Sequence, residues 1–211
     1  MKPNKSSIRT LLFASAHAPV LAAVLCLAAG CTHTMKTSVK PATLPAVAKS
    51  PAKIALVLGK DFTEYKHEMH MMGDTFLSPL GAPLQDYASN VTKHCFSEVT
   101  AYSTPTEAAG KADAILTPKV TKIDESYGIW AASKHNMVMV MQWTLRDRDN
   151  QKELWLESLD ARAEAKMGNL FSYKKQHLQL MQSLFDDLSL KTQKAFTESP
   201  QLKQLGKPAA P

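Results

Sequence analysis

The sequence predicts an α+β fold: a single domain in which two helices pack on a mixed or antiparallel sheet. Three observations predict it. A continuous apolar run from Lys53 to Leu58, closed by Gly59, suits a buried strand. Two stretches, Met137 to Leu145 and Trp155 to Ala165, carry apolar residues at period two and are separated by Asp147-Arg148-Asp149-Asn150, the pattern of an antiparallel hairpin with one packed face. Two others, Leu84 to Cys95 and Leu178 to Phe196, repeat apolar residues at helical spacing. The order strand, helix, strands, hairpin, helix describes helices layered on a sheet.

Each element has a local reason. Ser78-Pro79 reads as a helix start, with a capping serine and proline at the first helical position. Behind it Leu84, Tyr87, Ala88, Val91 and Cys95 mark one face of a helix ending near Phe96. Cys95 on that face is expected to be a small buried hydrophobe. Val99 to Tyr102 reads as a strand, followed by turn signals at Thr104-Pro105 and Gly110. Asp113 to Asp124 is rich in β-branched residues, and Pro118 within it points to an edge position or a bulge. In the hairpin, Met137, Met139, Met141, Trp143 and Leu145 face inward from one arm and Trp155, Leu159, Ala161, Ala163 and Ala165 from the other. The small alanines leave room for a helix, and the stripe from about Ser172 to Phe196 supplies it.

The ends of the chain are different. Residues 1–30 begin with Lys2, Lys5 and Arg9, continue through an apolar stretch from Leu11 to Leu27, and close on Ala28-Ala29-Gly30. That is the layout of a secretory signal. A retained membrane helix needs about 20 apolar residues, and this run is shorter and contains His17 and Pro19. Residues 31–52 carry three prolines and no periodic apolar face, so they read as a flexible tether. The folded part is expected over residues 53–199, with a disordered tail at 200–211.

Of the 211 residues, 25 are Lys or Arg and 19 Asp or Glu, a net charge of +6. Without residues 1–30 the basic count is 22 against the same 19 acids, a net charge of +3 with no basic stripe, which argues against nucleic acid as a partner. The cysteines fall to Cys31 and Cys95.

The junction Leu27-Ala28-Ala29-Gly30-Cys31 resembles the lipobox of bacterial lipoproteins, with Ala28 standing where that family usually has leucine. The resemblance implies cleavage before Cys31, a diacylglycerol on its thiol and an acyl chain such as palmitate on its amine. It makes the lipid bilayer a partner through the acylated Cys31. A multiply acylated cysteine is held firmly, because each buried methylene contributes about 0.8 kcal/mol. Thr32, where an aspartate commonly marks inner-membrane retention in that family, points to the outer membrane with the domain in the periplasm. Over most of the folded part, the element order, the Ala-Asp-Ala-Ile-Leu-Thr-Pro stretch at 112–118 and the Lys152-Glu153-Leu154-Trp155 stretch resemble the amino-terminal TolB-like domain of curli-secretion and polysaccharide-export lipoproteins.

Chemistry-bearing residues are sparse. The densest polar cluster, Glu64 to Met72, contains His67, Met69, His70 and Met71. On a helix, two histidines three apart share a side, and imidazole with thioether suits copper. On a strand, Tyr65, His67, Met69 and Met71 form one face and His70 lies on the other, which leaves no metal cage. His94, His135 and His177 are scattered singly. Trp130 falls between two strands and is a candidate contact for a membrane interface or a partner. No nucleophile elbow, phosphate loop, His-Glu-x-x-His or Cys-x-x-Cys is present. The expectation is therefore a non-catalytic lipoprotein without cofactor beyond its covalent lipid. It would bind envelope proteins in an assembly or export system, as a single copy or a homo-oligomer. The alternative is a periplasmic copper-type metal-binding protein.

Overall fold

The computed structural model describes residues 31–71, 73–127, 134–166 and 173–205. The protein is α+β; among the described residues there are two sheets, where one was expected, and five helices, two of them long. Its chain forms two compact units. Described residues 31–34 and 68–77 make the smaller one, and residues 35–67 with those from 78 onward make the larger.

A three-stranded sheet of order β1-β4-β3 comprises β1 (Thr32–Thr34), β3 (Lys66–Met71) and β4 (Asp74–Pro79). β1 runs parallel to β4, with Thr32 opposite Thr75 and Thr34 opposite Leu77. Within the smaller unit the His33 ring stacks on Phe76, and its Nε2 lies 3.3 Å from Asp74 Oδ2. This sheet is what the polar cluster at 64–72 hid: its strands are short and carry no long apolar alternation.

The larger unit is built on a five-stranded mixed sheet of order β5-β2-β6-β7-β8. β2 (Ser50–Val57) is parallel to β5 (Phe96–Tyr102) and to β6 (Ala114–Tyr127); β7 (Lys134–Asp147) and β8 (Glu153–Lys166) continue antiparallel. Two helices, α2 (Gly81–Cys95) and α4 (Tyr173–Glu198), share one core with the sheet. Short helices α1 (Lys60–Thr63), α3 (Pro105–Ala108) and α5 (Pro200–Gln204) complete the unit. From Ile54 to Val57 β2 is apolar without a break because it is covered on both faces: Ile54 and Leu56 join the main core, while Ala55 and Val57 join a smaller one with Ala108 and Ile115.

The antiparallel hairpin forms as expected. Met137, Met139 and Met141 stand opposite Ala163, Ala161 and Leu159, and Leu145 stands opposite Trp155. Met137, Met139, Met141, Trp143 and Leu145 are all fully buried. Asn150, at φ 61°, takes the left-handed turn position that asparagine tolerates. Trp143 donates its indole N–H to Tyr87 Oη at 3.3 Å and meets Phe196 edge-on at 4.9 Å, so one side chain ties the sheet to both long helices. Pro118 lies on β6 beyond Leu116, the last residue paired with β2, and close to a bulge between Val120 and Lys122. Both features accommodate a residue that cannot donate a ladder bond.

Three boundaries differ from expectation. α2 starts at Gly81 rather than at Ser78-Pro79, which end β4; the proline in its first turn is Pro83. Residues 35–49 are no loose tether. Met35 is buried, and Val39, Leu44 and Val47 pack against the core. The Gln182 amide bonds both the N–H and the C=O of Lys40, at 2.8 and 3.0 Å, and His94 Nε2–H donates to the Pro45 carbonyl at 2.7 Å. Helix side chains thus satisfy a proline-rich backbone that has no sheet to join. The tail expected to be disordered from 200 instead starts with α5, capped by Ser199 and holding Leu202 in the core. Among the described residues no helix is long and apolar enough to cross a membrane.

Candidate functional site

The larger unit buries a carboxylate among three imidazoles. Glu125 comes from β6, His135 from β7, His177 from α4 and His67 from β3. Each is placed by the periodicity of its element. His135 lies two residues before Met137, so the alternation that sends the methionine ladder inward sends this imidazole inward as well. His177 lies four residues before Met181 on the buried stripe of α4. Glu125 follows Ile123 at period two. His67 occupies an inward position of β3.

The contacts are short and the water is excluded. His135 Nε2–H donates to Glu125 Oε1 at 2.7 Å, His177 Nδ1–H to the same oxygen at 2.9 Å, and His67 Nε2–H to Oε2 at 2.9 Å. The Tyr173 hydroxyl donates to Oε1 at 2.8 Å. Side-chain exposures are 1% for Glu125, 0% for His135, 1% for His177 and 9% for His67. Burial alone would raise the carboxyl pKa. The hydrogen bonds from His135, His177 and His67, with the charge of His177, outweigh it and hold Glu125 well below the usual carboxylate range. The Tyr173 ring stacks on His135 at 5.3 Å.

Ser78 completes the group. Its hydroxyl lies 3.1 Å from His177 Nε2, and the residue is fully buried. The hydroxyl that reads in sequence as a helix cap is engaged here, and the N-cap of α2 is Leu80, whose side chain has no acceptor to offer. Ser78, His177 and Glu125 follow the connectivity of a hydrolytic triad. Ser78 is 0% exposed, so the whole group lies inside the fold.

The residues singled out in sequence are dispersed. Cys31 is exposed at the start of the described chain; its backbone N–H donates to Asp74 Oδ1 at 3.0 Å. His67 and Met69 are buried while Glu68 and His70 are exposed, so β3 sends His67 and His70 to opposite faces and they do not converge on one ion. His70 Nδ1 meets Thr75 Oγ1 at 3.1 Å. The side chain of Met71 and the whole of Trp130 lie outside the described residues. Cys95 is buried, and burial pushes its thiol up to about 11, against a smaller opposing effect of Lys49.

No family model matches the chain, and no curated protein matches it by sequence. The fold is shared with protein XCC0632 of Xanthomonas campestris, described by the family model DUF330, at a TM-score of 0.52 and 10% identity over 78% of this chain and 97% of that one. A minor lipoprotein of Acinetobacter baumannii gives a TM-score of 0.42 at 12% identity, covering 70% of this chain and 92% of that one. An uncharacterised lipoprotein B of Nitrosomonas europaea gives 0.42 at 13%, covering 76% and 94%.

Proposed function

We propose that the protein is an outer-membrane lipoprotein, anchored through acyl chains on Cys31, whose larger unit is a non-catalytic binding or structural component of an envelope assembly or export system. The observation that carries this reading is Cys31 itself. It follows directly on the small-residue junction Ala28-Ala29-Gly30, and its side chain is exposed while Cys95 is buried. Cleavage before Cys31 and acylation of its amine leave an amide N–H, so the donor that meets Asp74 Oδ1 is retained. The anchor acts by burial of hydrocarbon, at about 0.8 kcal/mol per methylene, and two or three chains hold the protein where one would exchange. Residues 35–49 are laid on the helices and supply no reach. The binding role rests on the compact core, the buried state of the serine-histidine-glutamate group and the lack of an enzymatic sequence template. Its partners are envelope proteins, further copies of this chain included.

Cys31→Ser in the producing bacterium tests the anchor. Wild-type protein is expected in the detergent-soluble membrane fraction and the variant in the soluble periplasmic fraction; equal membrane retention of the two contradicts lipid attachment at this residue.

A further inference from the structure

We propose that Glu125, His135 and His177 form a buried binding site for a divalent cation of the zinc class, with His67 holding the second oxygen of the carboxylate. Four separate elements, β3, β6, β7 and α4, converge on this one point of the larger unit. A core normally fills such a point with apolar side chains; here it holds four groups of the metal-ligating type. The facing atoms of Glu125, His135 and His177 all lie within 4.8 Å of one another, and His67 Nε2 reaches the second carboxylate oxygen at 2.9 Å.

The donor set selects the ion. Two imidazoles and one carboxylate suit zinc and its neighbours, whereas calcium and magnesium require mostly oxygen ligands. Glu125, His135 and His177 supply three ligands with side-chain exposures of 0 to 1%, and the fourth tetrahedral position is left to a further donor. The present spacings of 2.7 to 2.9 Å between imidazole nitrogens and carboxylate oxygens are hydrogen bonds. Tetrahedral bonds of about 2.0 Å place ligand atoms about 3.3 Å apart, so the two imidazoles must each draw back from the carboxylate by a few tenths of an ångström to admit the ion.

The outer groups fit the same reading. Metal binding needs the lone pair of His177 Nδ1, which moves its proton to Nε2; Ser78 Oγ, 3.1 Å from Nε2, is placed to accept it. The Tyr173 hydroxyl on Oε1 orients the carboxylate in the same manner. The site is independent of the lipid anchor, and it uses a different set of residues from the His67 and His70 pairing, which the strand geometry separates.

The test uses the full-length chain in detergent, stripped with a chelator, then loaded with Zn²⁺ alone and separately with Co²⁺. One metal per chain is expected after gel filtration, with the intense visible bands of tetrahedral Co²⁺. His135→Gln and His177→Gln are each expected to weaken Zn²⁺ binding at least tenfold. His33→Ala, which removes the exposed imidazole beside Cys31 and Asp74, is expected to leave binding unchanged. Folded wild-type protein that retains no metal overturns the proposal, and so does binding lost in His33→Ala but kept in His135→Gln. Should the core variants fail to fold, X-ray absorption of the loaded wild type decides: two or more imidazoles about the metal support the site, and one or none overturns it.

Discussion

Glu125→Ala is expected to cost the metal-free protein about 3–5 kcal/mol of folding stability, the range for removing one member of a buried ionic group. The carboxylate accepts from His67, His135, His177 and Tyr173, and the alanine methyl accepts from none of them. Each donor left dry carries about 1–3 kcal/mol of desolvation penalty, offset where a side chain turns to another acceptor or water enters the space. Glu125→Gln keeps one carbonyl oxygen and nearly the same volume, so its cost is expected to be clearly smaller. Urea unfolding of the three proteins in the presence of chelator gives the comparison. A loss below about 1 kcal/mol for the alanine variant would contradict a cluster organised by this carboxylate.

Gly81→Ala is expected to cost at least the upper end of the roughly 1–3 kcal/mol found for forcing extra methyl groups into packed sites. A Cβ at this position would lie 1.8 Å from the carbonyl oxygen of Thr63 and 2.5 Å from its carbonyl carbon. Those are backbone atoms, so no rotamer change relieves the clash. The junction of α1 and α2 must open instead, and with it the bonds from the Leu80 and Gly81 N–H groups to the Tyr65 carbonyl, at 2.9 and 3.1 Å. Tyr65 is two residues from His67, so the displacement reaches the buried cluster along the chain. Thermal unfolding with circular dichroism measures the effect; an unchanged melting temperature would contradict the close approach described here.

The layer of helices on a sheet was legible because burial imposes periods. The Met137 to Leu145 ladder, its alanine partners and the long stripe of α4 all lie where their spacing placed them. Residues 35–49 were not legible, because a strap held by side-chain amides needs no periodic apolar face. α5 escaped for a related reason: one buried residue, Leu202, holds a helix of five residues. The candidate site was half legible. His135 and His177 each sit in phase with an apolar pattern, and a titratable residue in phase with core positions is itself a signal. Their convergence was not, since Glu125 and His177 are 52 residues apart and nothing in sequence aligns β6 with the first turn of α4. Ser78 misled because one serine satisfies two local descriptions, helix cap and buried hydrogen-bond partner, and tertiary structure chose the second.

Cys31 is the residue on which the functional account turns. Mass spectrometry of the amino-terminal peptide of protein extracted from its native membrane tests it most directly. The expected peptide begins at Cys31, lacks residues 1–30 and carries the added mass of a diacylglyceryl group with an acylated amine. An unmodified Cys31, whether at the new terminus or inside a longer peptide, would contradict it.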